Sequence, residues 1–167
     1  MEQTESSMEL SENVRRVMRR WATGVSVVTS RHGDLRHGMT VNSFTSISLD
    51  PPLVSVTLAN DTRTFGLVTH SGVLGITFLR EDQQEISDRF AGRMAEDEDR
   101  FAGLETFILL TGAPLLAGSL AYLDCRVVFT YPMPTSTLLI AEVVATRLST
   151  GTRPLIYYNR SYPRLVE

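Results

Sequence analysis

Residues 25–58 read VSVVTSRHGDLRHGMTVNSFTSISLDPPLVSVTL. Residues 25–29 are mostly β-branched, His32-Gly33-Asp34 makes a turn, residues 38–48 follow, and residues 53–58 resume after the Pro51-Pro52 break. Val, Ile and Thr suit a pleated, half-buried surface, while Gly, Asp and Pro punctuate it. Residues 73–78, 121–131, 137–147 and 154–158 repeat that texture. Within 121–131, Leu123, Cys125, Val127 and Phe129 alternate with Tyr122, Asp124, Arg126 and Val128, the period of a half-buried strand. Cys125 falls on the apolar side, as a packed thiol. Short strands at close spacing argue for an antiparallel barrel or sandwich, and the strand–helix alternation of a doubly wound fold is absent. The expected fold is mainly β, an antiparallel barrel with a few flanking helices.

Helices are expected in three places. Leu10, Val14, Val17, Met18 and Trp21 form one apolar stripe, with Ser11 placed to cap and Gly24 to stop the helix. On this reading Trp21 belongs to the core, and Arg15, Arg16, Arg19 and Arg20 form a solvated face, the alternative being an anion-binding cluster. Residues 1–9 read as a disordered tail ahead of a single domain, 10–167. Residues 64–70 suit one or two helical turns, capped by Thr62 or Thr64. Residues 81–94 suit a further helix, with Ile86, Phe90 and Met94 on one face and Glu85 and Arg89 spaced to pair. Residues 95–106, with the acidic run 96–99, read as an exposed loop.

Composition excludes several classes. Among 167 residues, 16 basic side chains face 19 acidic ones, for a net charge of -3, so no nucleic-acid footprint is expected. The single cysteine excludes an intramolecular disulfide framework. Every basic residue is arginine, which excludes Schiff-base lysine chemistry and a Walker lysine. No G-x-G-x-x-G, P-loop, H-E-x-x-H or G-x-S-x-G motif occurs. His32, His37 and His70 sit in or near turns without ligand spacing, so no metal site is expected. The acidic, polar start lacks the order of a signal peptide, and the longest apolar runs are too short to span a bilayer. A soluble, cytoplasmic protein with no membrane partner is the expectation.

The densest chemistry lies in residues 37–52, HGMTVNSFTSISLDPP. Backbone N–H, Ser, Thr and Asn groups there can hydrogen-bond the carbonyls and ring nitrogens of a flat heteroaromatic ligand without carrying charge. Asn60-Asp61-Thr62-Arg63-Thr64 opens a helical turn, and helix N-terminal amides with hydroxyls and an arginine suit a phosphate. Read from the residues alone, both segments equally suit Ser- and Thr-rich β-turns.

The order of these signals resembles the short-chain flavin reductase family, the reductase components of two-component monooxygenases. The resemblance runs through Trp21-Ala22-Thr23-Gly24-Val25, Gly38-Met39-Thr40-Val41-Asn42-Ser43-Phe44 and Ser48-Leu49-Asp50-Pro51-Pro52. It continues through Phe90-Ala91, Gly112-Ala113-Pro114, Leu123-Asp124-Cys125, Pro154-Leu155-Ile156-Tyr157 and Tyr162, covering nearly all of 10–165. It implies an FMN-binding split β-barrel and a homodimer with flavin at the interface. It implies reduction of FMN or FAD by NADH or NADPH, and a flavin-dependent monooxygenase that receives the reduced flavin. The cofactor-binding residues it implies are Gly38, Met39, Thr40, Val41, Asn42 and Ser43 along the isoalloxazine, with Ser46, Ile47 and Ser48 nearby. Ala59, Asn60, Asp61, Thr62 and Thr64 would hold the phosphate, and Phe90 would pack on the flavin; from its spacing Phe90 belongs equally to the core face of its helix.

The family usually carries Gly-Asp-His before the strand at 137–143, its histidine associated with the nicotinamide. This chain has Pro134-Thr135-Ser136, and Ala141 replaces the following glycine. Ser136 and His37 are the candidates near the nicotinamide. Hydride transfer needs positioning and no protein acid, so the replacement bears on donor affinity. Tyr157, Tyr158 and Tyr162 either line the nicotinamide side or cover the barrel end. The alternative reading is a flavin-binding carrier or sensor that oxidises no NAD(P)H.

Overall fold

A computed structural model describes residues 6–93, 99–151 and 153–166. Helix α1 spans Ser7–Met18, and strands follow as β1 (Thr23–Gly24), β2 (Ser26–His32), β3 (Leu35–Val41), β4 (Thr45–Leu49) and β5 (Pro52–Ala59). Then come α2 (Arg63–Ser71), β6 (Val73–Phe78), α3 (Gln84–Asp88) running into a π-type turn at Arg89–Arg93, β7 (Thr106–Phe107) and β8 (Leu115–Leu116). Two long strands, β9 (Ala121–Pro132) and β10 (Ser136–Leu148), and the short β11 (Ile156–Tyr157) complete the order.

Seven strands form one antiparallel sheet in the order β3-β2-β6-β9-β10-β5-β4. Its two edge strands, β3 and β4, are consecutive in the chain, joined only by Asn42, Ser43 and Phe44. In a flat sheet those edges would stand about 29 Å apart. The linker can reach only about 14 Å. The sheet therefore curls until its edges approach, and the Asn42–Phe44 linker crosses the seam. The Ser43 hydroxyl clips that seam, donating to Thr57 O at 3.0 Å and accepting from Thr57 N–H at 3.1 Å.

Apolar side chains from β2, β5, β6 and β10, with Val68 of α2 and Cys125, fill the barrel. A second cluster, including Phe90, Phe101, Leu116 and Leu155, closes one end. Two-stranded pairs β1–β11 and β7–β8 lie outside the main sheet.

Four expectations change. Helix α1 begins at Ser7 because Ser6 accepts from Glu9 N–H at 3.2 Å, the Ser-x-x-Glu spacing of a capping box. Residues 7–9 are thus its first turn, while 1–5 lie outside the described residues. Ser11 instead donates back to Ser7 O, and Gly24 pairs with Ile156 in β1. Second, the stripe Leu10, Val14, Val17, Met18 and Trp21 faces outward, with Trp21 67% exposed. Periodicity identifies an apolar face; it does not say which body covers it. Third, Asp124 is buried, accepting from Leu110 N–H and Thr111 N–H at 2.7 Å each and from the Thr111 hydroxyl. The 108–120 segment covers that face of β9, so strict alternation fails there. Fourth, the helix expected over 81–94 is one short α-turn and a wider one, because Gly92 takes φ 81°. Arg89 donates to Ala102 O at 2.9 Å, and Met94 and residues 95–98 of the acidic run lie outside the described residues. Asp99 pairs with Arg36 at 3.4 Å.

Candidate functional site

Strand β3 carries the start of the donor-rich segment past one cavity, and the linker that follows it borders a second. Gly38 is required by packing: a Cβ there would sit 3.0 Å from both the Phe90 ring and the Thr29 methyl. Phe90 is fully buried, edge-on to Phe101 at 5.2 Å, so it forms the floor beneath β3. The Val41 side chain points into the barrel core, and the residue pairs with Ser26 of β2. Thr40 donates to Ser87 O at 2.7 Å, tying β3 to α3.

The smaller cavity, about 280 Å³, is lined by Met39, Thr40, Asp61, Thr62 and Thr64 together with His37, Phe90, Arg63 and Arg100. Thr62 caps α2, accepting from Phe65 N–H at 3.2 Å, so the helix N-terminus opens toward this cavity. Thr64 is buried and shares a 2.9 Å hydrogen bond with His37 Nδ1. Burial, with Arg100 and Arg63 adding repulsion, lowers the His37 pKa from 6.5 to about 4. His37 is therefore neutral at neutral pH. Arg100 donates to Gly38 O at 3.0 Å and Phe90 O at 3.2 Å, bracing both walls. Two guanidiniums and a helix N-terminus form a donor set suited to a phosphate, beside the Asp61 carboxylate, while the Thr62 hydroxyl is already donated to Ala59 O and the Thr64 hydroxyl is bonded to His37.

The larger cavity, about 710 Å³, opens on the seam itself. Asn42, Ser43, Phe44 and Thr45 form one wall; α1 and the Tyr157–Arg160 segment form the others. Here the structure brings together Asn42, Ser43 and Tyr157. Tyr162 instead packs on the end cluster, its hydroxyl 2.9 Å from Ser87 Oγ and its ring 5.5 Å from Tyr157.

The other sequence-nominated residues line neither cavity. Ser46, Ile47 and Ser48 lie on edge strand β4, where Ser48 donates to Pro51 O. Asn60 spends its amide on structure: Nδ2 donates to Met133 O at 2.9 Å, and Oδ1 accepts from the Thr137 hydroxyl at 2.7 Å. Ala59 pairs with Ser136 across β5–β10. The segment Pro134–Ser136 thus borders the Asn60 turn, and Ser136 and His37 do not share a cavity. Arg100 escaped the sequence reading; it reaches Gly38 from 62 residues away, and no local pattern signals that. Among the described residues no helix is long and apolar enough to cross a membrane.

The curled antiparallel sheet is the split barrel shared with solved flavin reductases. The chain belongs to the flavin reductase like domain family, which matches residues 18–166. An NADH-dependent flavin reductase from a Rhodococcus species is 37% identical, over 97% of this chain and 93% of the relative. The reductase component of 4-hydroxyphenylacetate 3-monooxygenase from Thermus thermophilus is 32% identical, over 94% and 98%. The structure of Streptomyces globisporus NADH:FAD oxidoreductase SgcE6 in complex with NAD and FAD fragments superposes with a TM-score of 0.86 at 28% identity, covering 98% of each chain.

Proposed function

We propose that this chain is an NAD(P)H-dependent flavin reductase that supplies reduced FMN or FAD to a partner monooxygenase. The observation that carries the reading is the phosphate-type cavity at the α2 N-terminus beside the donor-rich β3, in a chain of this family. The names of the relatives favour NADH as the donor. Bound flavin supplies the hydride-accepting ring, which is the whole of the electron chemistry.

The protein's own residues bind and orient. The backbone N–H groups at the start of α2, with Arg63 beside them, would hold a phosphate at the helix N-terminus. Backbone groups of β3 and the Asn42–Phe44 linker meet the edge of a planar ring. Neutral His37 keeps a polar, uncharged wall beside Thr64. No side chain has to give or take a proton during hydride transfer. Ser136 can donate a hydrogen bond and no charge, so nicotinamide affinity must come from elsewhere on the surface.

The exposed apolar stripe of α1, with Val128, Phe129 and Tyr131 of β9, supports a homodimer. Use of NADH supports a cytoplasmic location. The deciding measurement is steady-state oxidation of NADH and NADPH with FMN, FAD or riboflavin against a protein-free control. Saturable turnover is expected. Quenching of flavin fluorescence without turnover would replace the reductase with a flavin carrier.

A further inference from the structure

We propose that a groove between α2 and the β2–β3 hairpin seats the adenosine limb of FAD and makes the chain selective for FAD over FMN. The proposal rests on the flavin reductase reading and names the flavin that its site takes. Three observations carry it.

The groove begins where the phosphate donor set ends. A cavity of about 470 Å³ lies between α2 and the hairpin tip, and its wall is predominantly apolar. His37 and Arg63 line both this cavity and the smaller one at the α2 N-terminus, so the two open side by side. Arg63, Gly66, Leu67 and His70 keep the spacing of one helix face, which carries the groove along α2 for about 10 Å. FMN ends at its phosphate, whereas FAD continues from that phosphate through a second one to adenosine. A flavin whose first phosphate meets the α2 N-terminus therefore brings its adenosine limb to this groove, and FMN has nothing to place there.

The chemistry of the groove fits a purine. Leu35 and Leu67 line it, and at its far end the His32 and His70 rings lie with centroids 5.8 Å apart. His70 Nδ1 donates to Gly66 O at 2.7 Å, which fixes that ring against the helix. Imidazoles and leucines offer stacking and apolar contact to a flat, uncharged base. Arg63, at the junction of the two cavities, matches the second phosphate.

The third observation is Gly66 itself. It lies inside α2, its φ is not positive, and a Cβ built there meets nothing within 4 Å. Neither close packing nor left-handed backbone calls for glycine at this position, and only proline is a poorer helix former. The missing side chain supplies room on the groove face. A helix that gives up propensity at that place points to a ligand lying against its backbone.

The test is Gly66→Leu, which restores a strong helix former while filling the groove, so misfolding is not a competing explanation. FMN and FAD affinities of parent protein and variant are measured by fluorescence quenching, and KM and kcat for each flavin by NADH oxidation. The parent should bind FAD about tenfold more tightly than FMN. In Gly66→Leu the melting temperature should be no lower than the parent's, FAD affinity should fall about tenfold, and FMN affinity should hold. KM for FAD should rise in step with kcat unchanged, and Gly66→Ala, adding one methyl, should lose less. A parent with no preference for FAD, unchanged FAD affinity in Gly66→Leu, or equal losses of FMN and FAD overturns the proposal and leaves the reductase reading standing. A parent protein that binds neither flavin and oxidises no NADH overturns both.

Discussion

His37 shows how one side chain reports on its cavity. It is linked to buried Thr64, and burial with two nearby guanidiniums holds its pKa at about 4 against 6.5. The unfolded chain then binds a proton that the folded one refuses between those values, so stability rises with pH across that window. Native stability should fall as pH drops from 6.5 toward 4 and level off above 6.5. His37→Gln retains a hydrogen-bonding side chain and removes the titration. Urea midpoints at pH 7 and pH 5 should therefore differ less for the variant than for the parent protein; an equal difference would assign the pH dependence to other groups. Cys125, by contrast, is buried beside Asp124, and its thiol is pushed up to about 12, which makes it a packing residue.

Among the elements, α2 links stability to binding. Its Thr62 cap satisfies Phe65 N–H, and the same hydroxyl donates to Ala59 O at 2.8 Å. Thr62→Ala should lower stability by about 1 kcal/mol, the usual cost of a lost cap. It should also weaken FMN binding, because the helix N-terminus borders the smaller cavity. Chemical denaturation and flavin fluorescence quenching read the two effects separately. Lost stability with intact FMN affinity would leave the cap a structural role only. Capping was legible in advance because Thr62 and Thr64 precede a short periodic segment. The choice between them was not: Thr64 is drawn inward by His37, which arrives from β3.

At the scale of the molecule, the open question is what covers the apolar face of α1. Leu10, Val14, Val17, Met18 and Trp21 are exposed together, and β9 presents Val128, Phe129 and Tyr131. A surface of that character suits a second copy of the chain. Sedimentation at micromolar protein should give a dimer, and Val17→Asp combined with Trp21→Arg should shift it toward monomer. A parent protein that sediments as monomer would remove the homodimer.

Local signals in the chain were enough for most strands, though not for the break at Asn42–Phe44 within the run expected at 38–48, and for the turn at His32-Gly33-Asp34 and the absence of lysine chemistry. They suffice because pleating, φ preferences and charge act between near neighbours. The barrel closure, the burial of Asp124, the division of the donor-rich segment between two cavities and the groove beside α2 arise from long-range contacts. Gly66 makes the difference plain: the sequence shows a glycine inside a helical segment, and only the hairpin packed beside α2 reveals the groove that it lines. Pairing distant segments sets such surroundings, and no spacing within the chain encodes which segments will meet.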